Sequence, residues 1–323
     1  MSLAGLGDLQ LESGERILDF QQSYVTHGTL NNEKSNAVLV CASLTGNHKR
    51  LDFLIGAGLA LDPARYFIVA TDAIGNGLST SPSNSAQQPG MRFPHFVLRD
   101  MVSAQHRLLT EHLGIEHLHA VAGASMGGMQ ALQWAVSHAD FMGGIVAMTP
   151  MAKTHPWGAL VVSTARACLM ADPAWHGNGF AQRPDRGWRA YAGLMNALLM
   201  RTPAVAREVD LQIFVEQVKA QGFDAHDYLF QSKAYQAHDV GTTPGFAGDT
   251  TKALGSITAR ALLLAPPLDL FNPAECAHDA AKAIRNATFL EIPSNRGHQA
   301  ATKESATGIT FLNEHIGKFL REW

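Results

Sequence analysis

Residues 121–135 read VAGASMGGMQALQWA and contain the motif G-x-S-x-G at residues 123–127. An apolar run precedes the motif, and an apolar helical repeat at Met129, Leu132 and Val136 follows it. A strand, a one-residue turn and a helix form the setting in which such a serine is exposed at a sheet edge. The flanking glycines remove Cβ atoms that would block the turn. Ser125 is therefore a candidate nucleophile, and the alternatives are a tight structural turn or an anion-binding helix start.

The composition is typical of a globular protein with a sizeable core. The chain has 323 residues, of which 46% are hydrophobic, and a formal net charge of −3. This charge gives no electrostatic reason to expect nucleic acid or an anionic membrane as a partner. The three cysteines are widely spaced and lack a C-x-x-C pair, which favours a reducing compartment over a disulfide framework. Since no apolar leader, membrane-length apolar run or metal-ligand spacing is visible, we expect a cytoplasmic protein without membrane contact or metal.

Buried apolar runs alternate with helical patterns along the first half of the chain. A hairpin turn at Gly14-Glu15 is predicted to join residues 9–11 to residues 17–24. The later apolar runs are residues 37–42, 66–71, 119–122 and 144–149. The helical patterns cover residues 52–61, 97–113 and 129–137. Continuous apolar runs are typical of strands buried on both faces of a sheet, so the alternation predicts an α/β fold with a mostly parallel, doubly wound sheet.

The pattern changes after Pro150. Amphipathic helical stretches follow, separated by Pro and Gly breaks, at residues 161–170, 188–200, 211–220 and 226–237. Strand and helix patterns then return at residues 261–264, 274–284, 288–292 and 304–320. We interpret residues 1–150 and 246–323 as the core of one α/β fold, and residues 151–245 as a helical lid inserted into it.

Two further side chains lie where a serine nucleophile needs them. Asp269 follows the strand at residues 261–264, and His298 follows the strand at residues 288–292. A serine hydroxyl needs an adjacent base, and that base must be held by a third group. In the α/β-hydrolase arrangement the nucleophile, acid and histidine occur in this chain order, each after a strand. The sequence therefore predicts a triad of Ser125, Asp269 and His298, with Asp279, inside a helix, as the rival acid.

The same sheet edge supplies candidates for an oxyanion hole. The backbone N–H of Met126 follows the nucleophile at a helix start, and the loop after residues 37–42 offers Leu44 as a second donor. The loop at residues 72–79 is expected to line the same edge and places Asn76 beside the substrate. Its G-x-G lacks the third glycine and helix start of a dinucleotide site, which disfavours that interpretation.

These residues resemble the homoserine O-acetyltransferase family of α/β-hydrolase-fold enzymes. The resemblance is carried by GASMGGMQALQWA, by residues 11–48, and by MAKTHPWG at residues 151–158, and it extends over nearly the whole chain. It implies a ping-pong reaction without a resident cofactor, in which acyl-CoA is a candidate acyl donor to Ser125. His298 would act as base and then acid, and Asp269 would hold its imidazole. It also implies a homodimer as a candidate assembly.

The sequence departs from this family where the acceptor is bound. The resemblance implies an Asp after the catalytic His in homoserine-specific members, and an Arg and a Tyr in the lid. Here Gln299, Gly193 and Met200 occupy those places. A zwitterion taken from water needs partners for both charges, so the sequence predicts that homoserine is not the acceptor. The candidate replacement cations are Arg189, Arg201 and Arg296.

Three functional hypotheses follow. The first is an acyltransferase of this type that uses another hydroxyl acceptor, and the second is an esterase in which water is the acceptor. Both act on a small-molecule ester, alcohol or acyl-CoA, and the sequence does not separate them. The third, from another class, is a non-catalytic binding protein of the α/β-hydrolase fold.

Overall fold

An eight-stranded, mostly parallel sheet lies at the centre of the molecule. The computed structural model describes residues 1–199, 201–208, 210–220 and 223–322. The strands in chain order are β1 (Ser2–Gly5), β2 (Leu9–Gln10), β3 (Arg16–Ile17), β4 (Gln21–His27), β5 (Ala37–Cys41), β6 (Phe67–Thr71), β7 (Leu118–Ala124), β8 (Met142–Met148), β9 (Arg260–Ala265) and β10 (Ala287–Glu291). The order in the sheet is β1-β4-β6-β5-β7-β8-β9-β10, and β2 pairs with β3 alone. The pairs β1–β4 and β4–β6 are antiparallel, and the others in this sheet are parallel.

Helices cover both faces of the sheet. In chain order they are α1 (Leu98–Arg107), α2 (Met126–Ser137), α3 (Pro156–Met170), α4 (Asp185–Gly193), α5 (Pro203–Ala206), α6 (Leu211–Ala220), α7 (Ala225–Gln236), α8 (Thr250–Gly255), α9 (Ala274–Ala283) and α10 (Ala306–Arg321). Alternate strand residues point to opposite faces. Leu39 of β5 therefore belongs to one apolar cluster with Leu132 of α2, whereas Val38 belongs to a second with Leu312 of α10. This arrangement confirms the predicted α/β-hydrolase fold with its doubly wound sheet.

Two local predictions are corrected by the structure. The helix predicted at residues 52–61 is only a 3-10 turn at Asp52–Leu54. The chain then bends at Gly58, which has a φ of +75°, and the Gly58 N–H donates to Asp62 Oδ2 at 2.9 Å. The turn ends before this bend, because Ile55 is already extended, with φ −101° and ψ 117°. The hairpin at Gly14-Glu15 is confirmed, but its second arm ends at Ile17, and residues 21–27 form the separate strand β4.

The helices α3–α7, which we call the lid helices, lie between β8 and β9 in the chain. Their apolar side chains belong to the same core cluster as α2, since Val162, Leu169 and Tyr235 join it. The helical pattern predicted at residues 188–200 begins earlier, at Asp185, and continues as a π-helical turn at Leu194–Leu199. None of the helices in the described ranges has the length and apolarity that crossing a membrane requires. The division into core and lid at residues 151–245 stays a prediction.

Candidate active site

Ser125 is the single residue between β7 and α2. Its backbone has φ 57° and ψ −124°, a combination that residues other than glycine rarely adopt. Its N–H donates to Met148 O at 2.9 Å and to Thr149 Oγ1 at 3.1 Å, so the end of β8 holds it from behind. The strained turn therefore places the serine at the carboxyl edge of the sheet, as the sequence predicted.

The glycines around Ser125 are required by close backbone approach. A Cβ on Gly123 would lie 2.2 Å from Gly127 O, and one on Gly127 would lie 2.4 Å from Cys41 O. Neither glycine has a positive φ, and it is Ser125 that carries the left-handed conformation. The start of α2 thus packs directly on β7 and on the end of β5, with no room for a side chain.

We expect Gly127→Ala to lower the free energy of unfolding by about 3 kcal/mol, because the added methyl group meets a fixed backbone carbonyl. Gly193→Ala is the matched control, since a Cβ there meets no atom within 4 Å in the described structure. Alanine is favoured over glycine in a helix by about 0.5–1 kcal/mol, so this control is expected to be slightly stabilising. Urea unfolding monitored by tryptophan fluorescence measures the free energy of unfolding of both variants. Equal losses in the two variants would contradict the packing argument.

Ser125, His298 and Asp269 form a chain of two hydrogen bonds. His298 Nε2 lies 2.9 Å from Ser125 Oγ, and His298 Nδ1 lies 2.7 Å from Asp269 Oδ2. A carboxylate only accepts, so the Nδ1–H donates to Asp269, and Nε2 is left to accept the serine proton. All three residues are at most 5% exposed. The structure therefore brings together the three side chains that the sequence selected.

Two loops hold the acid and the histidine. Asp269 follows β9, and its Oδ1 accepts the N–H groups of Phe271 at 2.8 Å and Asn272 at 2.9 Å. His298 follows β10, in the 3-10 turn Gly297–Ala301. The rival acid Asp279 lies in α9 with its side chain 69% exposed, where it pairs with Lys282 at 2.9 Å. It is therefore a surface residue, and Asp269 is the carboxylate that contacts the histidine.

The two predicted oxyanion donors belong to segments that meet beside Ser125. Met126 is the first residue of α2, where backbone N–H groups have no partner within the helix. Leu44 lies in the loop after β5, and the neighbouring Ser43 Oγ donates to Ala124 O at 2.6 Å, which ties this loop to the turn. Thr45 N–H donates to Gln231 Oε1 of α7 at 3.1 Å, so a lid helix also holds the loop. The role of both donors stays a prediction.

Asn76, predicted to lie beside the substrate, makes three hydrogen bonds within the protein. Its Nδ2 donates to Gly46 O at 3.1 Å and to Asp72 Oδ1 at 3.0 Å, and its Oδ1 accepts the N–H of Leu78 at 3.0 Å. These contacts use both amide protons and the amide oxygen within the protein. Asn76 therefore joins the loop after β6 to the loop after β5, and its contact with substrate stays a prediction.

Of the other three predicted substrate contacts, the structure describes two, Gly193 and Gln299. Gly193 ends α4, and among the described residues no atom lies within 4 Å of a Cβ built there. Gln299 is half-buried directly after His298. Met200 lies outside the described residues. Their contact with substrate remains a prediction, and the described residues hold no group of three or more His, Cys, Asp or Glu side chains arranged for a metal ion.

Two of the three candidate cations are paired with carboxylates. Arg201 is 9% exposed and its Nη1 lies 2.6 Å from Glu304 Oε2, whereas Arg296 Nη2 lies 2.7 Å from Glu208 Oε2. Thr202 Oγ1 donates to Asn295 O at 2.5 Å in the same region. These three contacts, which we call the lid clamp, join residues 201–208 to the loop that carries His298. Arg189 is exposed on α4.

Sequence analysis missed the polar residues behind the acid. Asn272 Nδ2 donates to Thr149 O at 2.6 Å, and the Tyr235 hydroxyl donates to Asn272 Oδ1 at 2.5 Å. The three residues come from the Asp269 loop, the end of β8 and lid helix α7. No local pattern marks them, because their contact depends on how these segments pack.

Comparisons with known proteins agree with this fold. Residues 36–178 match the family described as the alpha/beta hydrolase fold. The chain is 33% identical to the homoserine O-acetyltransferase of Methanosalsum zhilinae, over 97% of this chain and 71% of that protein. It is 32% identical to the ethyl acetate hydrolase of Pseudomonas veronii, over 98% of this chain and 95% of that protein. The structure of an acetylester hydrolase from Corynebacterium glutamicum superposes with a TM-score of 0.94 at 28% identity, covering 99% of this chain and 96% of that one.

Proposed function

The chain belongs to the homoserine O-acetyltransferase family within the α/β-hydrolase superfamily, and from this premise we propose that it is an esterase working through an acyl group on Ser125. It is an enzyme of this superfamily, and its relatives support acyl transfer or hydrolysis of small molecules. The observation that carries the proposal is the chain of hydrogen bonds from Ser125 Oγ through His298 to Asp269.

In the first half of the proposed reaction, Ser125 Oγ attacks the carbonyl carbon of a small ester. His298 Nε2 takes the hydroxyl proton as the new C–O bond forms, and the Asp269 carboxylate stabilises the resulting imidazolium. The tetrahedral intermediate then collapses, and the bond to the alcohol oxygen breaks. His298 returns its proton to this oxygen, so that a neutral alcohol leaves and the acyl group remains on Ser125.

In the second half, water takes the place of the alcohol. His298 Nε2 accepts a proton from the water as its oxygen attacks the acyl carbon. Collapse breaks the bond to Ser125 Oγ, which recovers the proton from His298, and a carboxylic acid is released. Serine, histidine and aspartate supply the nucleophile, the base and its orienting group, so the proposed steps need no resident cofactor.

The developing oxyanion is proposed to accept from the N–H groups of Met126 and Leu44. The Met126 N–H lies at the start of α2, where the helix dipole favours negative charge. Leu44 lies in a loop fixed by Ser43 on one side and Gln231 on the other. Fixed donors of this kind stabilise the transition state without reorganisation, and loss of one costs about 2.7–4 kcal/mol.

The paired arginines favour water over an amino-acid acceptor. Arg201 and Arg296 are already bound to Glu304 and Glu208, so neither offers an unpaired cation to a substrate carboxylate. Gln299 has no charge with which to bind an ammonium group. Taking either charge of a zwitterion from water without a partner is costly. This local chemistry therefore supports a neutral acceptor.

Two of the similar proteins support placing the esterase before the transferase, two candidates that the sequence alone does not separate. The ethyl acetate hydrolase is 32% identical to this chain and is covered to 95% of its length, which supports hydrolysis of a small ester. The superposition with an acetylester hydrolase is also close along the whole chain. Transfer from acyl-CoA to a neutral alcohol is the second candidate, and the 33% identity to the acetyltransferase favours it.

The acceptor is tested by following the fate of the acyl group. With p-nitrophenyl acetate, we expect nitrophenol release whose rate is unchanged by added homoserine, because the charges of homoserine lack partners. With acetyl-CoA, we expect no CoA release that depends on homoserine or on a panel of neutral alcohols. Mass spectrometry of the products identifies acetate or an acetylated alcohol, with Ser125→Ala as the background control. CoA release that depends on an added alcohol would contradict the esterase proposal and support the transferase.

A further inference from the structure

Lid helix α7 contacts the loop that carries Asp269 through a hydrogen bond between Tyr235 of the helix and Asn272 of the loop. The Tyr235 hydroxyl donates to Asn272 Oδ1 at 2.5 Å, and Asn272 Nδ2 donates to Thr149 O at 2.6 Å. The backbone N–H of Asn272 donates to Asp269 Oδ1 at 2.9 Å. The side chains of Tyr235 and Asn272 are at most 1% exposed. Asn272 thus links a lid helix, the acid loop and the end of β8.

The contact with Thr149 extends to the nucleophile. Thr149 has a φ of 45°, a left-handed conformation that is strained for a β-branched residue, and its Oγ1 accepts the N–H of Ser125. Ser125 itself has a φ of 57°. Two neighbouring strained residues keep this geometry only where their surroundings fix it. The hydrogen bond from Asn272 is one of the contacts that fix the Thr149 carbonyl.

The ring of Tyr235 makes a second connection, toward the histidine. It stacks on Phe271 with ring centroids 5.6 Å apart and an interplanar angle of 5°. Phe271 in turn meets His298 edge to face, with centroids 4.9 Å apart at 84°. A single residue of α7 therefore connects with the acid and nucleophile through Asn272, and with the base through Phe271.

We propose that Tyr235 and Asn272 are positioning residues for acyl transfer, through which the lid helix α7 fixes the relative placement of Asp269, Ser125 and His298. This inference rests on the proposed function, since it concerns the alignment of the same three side chains. Misplacement of reacting groups by a fraction of an ångström lowers the rate of the chemical step more than it weakens substrate binding. Burial raises the pKa of the Tyr235 hydroxyl well above its ordinary value, so this group stays a donor.

The sharpest test compares two tyrosines of the same helix. Tyr228 is also fully buried on α7, but its hydroxyl has no hydrogen-bond partner among the described residues. We expect Tyr235→Phe to lower kcat about five- to tenfold with KM unchanged, and to slow fluorophosphonate labelling of Ser125 by the same factor. Tyr228→Phe should leave both rates at the parental value. Unchanged rates in Tyr235→Phe, or equal losses in the two variants, would overturn the proposal.

Asn272 provides the second arm of the test. Asn272→Ala is expected to lower kcat at least as much as Tyr235→Phe, and the double variant should be no slower than Asn272→Ala alone. The effects of two substitutions are non-additive in this way when the residues act as a unit. Fully additive losses would mean that Tyr235 and Asn272 act independently, and would overturn the proposal that they act together. The labelling readout also separates the two proposals. A parent protein that the probe does not label at Ser125 removes the proposed function, whereas parental labelling in Tyr235→Phe removes only the positioning role.

Discussion

Ser125→Ala is expected to lower the kcat of ester hydrolysis by about 10⁶-fold. The hydroxyl is the only group on this residue that bonds to the acyl carbon in the proposed reaction, and His298 Nε2, 2.9 Å from it, then has no proton to accept. Alanine fits the turn no worse than serine, so the loss is expected without unfolding. Steady-state hydrolysis of p-nitrophenyl acetate and labelling by a fluorophosphonate probe both measure it.

Ser137→Ala is the matched control for this experiment. Ser137 is the last residue of α2, whose first residue follows the nucleophile, and its Oγ accepts from Gln133 Nε2 at 2.8 Å. Both activity and labelling should persist in this variant. Hydrolysis or labelling that survives in Ser125→Ala would show that another residue carries the acyl group, and the proposed mechanism would then be wrong.

Asp269→Asn is expected to lower kcat by about 10⁴-fold. The carboxylate accepts from His298 Nδ1 at 2.7 Å, whereas an amide can present its NH₂ group to this nitrogen. His298 would then carry its proton on Nε2, the wrong tautomer for accepting the proton of Ser125. The change keeps the size of the side chain, and the Phe271 and Asn272 N–H groups retain an oxygen acceptor.

Asp279→Asn tests the same chemistry at the rival acid. Its carboxylate is exposed and paired with Lys282, and exposed pairs of this kind contribute little to stability. We expect parental kcat and KM in this variant, measured with the same ester and at the same pH. A large loss in Asp279→Asn together with parental activity in Asp269→Asn would reverse the assignment of the acid.

Sequence order was sufficient to select the three side chains of the candidate triad. The carboxyl ends of parallel strands lie at the same sheet edge. Residues in the loops after β7, β9 and β10 therefore meet there, whatever path the intervening segments take. The apolar runs that mark these strands are strong signals, because the strands are buried on both faces. The positions of Ser125, Asp269 and His298 could therefore be predicted from linear spacing alone.

Contacts between distant segments could not be predicted in this way. The hydrogen bond from Asn76 to Gly46 depends on how two loops pack, which no local pattern records. The link from Tyr235 to Asn272 joins a lid helix to a core loop across 37 positions of sequence. At residues 52–61 the apolar spacing suited a helix, but the chain is already extended at Ile55 and bends again at Gly58.

The lid clamp has a consequence for how substrate enters. Because Arg201, Thr202 and Glu208 contact the loop of His298, a rigid-body swing of the lid helices would displace His298 from Ser125. Entry and exit are therefore expected to use smaller side-chain movements, with the segment around residues 201–208 kept in place.

The strained conformation of Ser125 lowers the stability of the fold, whereas the proposed reaction needs a serine at this position. Conformations of this kind cost about 1–3 kcal/mol in a residue with a Cβ, and glycine adopts them freely. Ser125→Gly would therefore be among the substitutions that make the chain more resistant to heat while removing its proposed nucleophile. A directed-evolution campaign that scored survival at high temperature alone would enrich this inactive variant, so thermostabilisation of this protein has to be screened for turnover in every round.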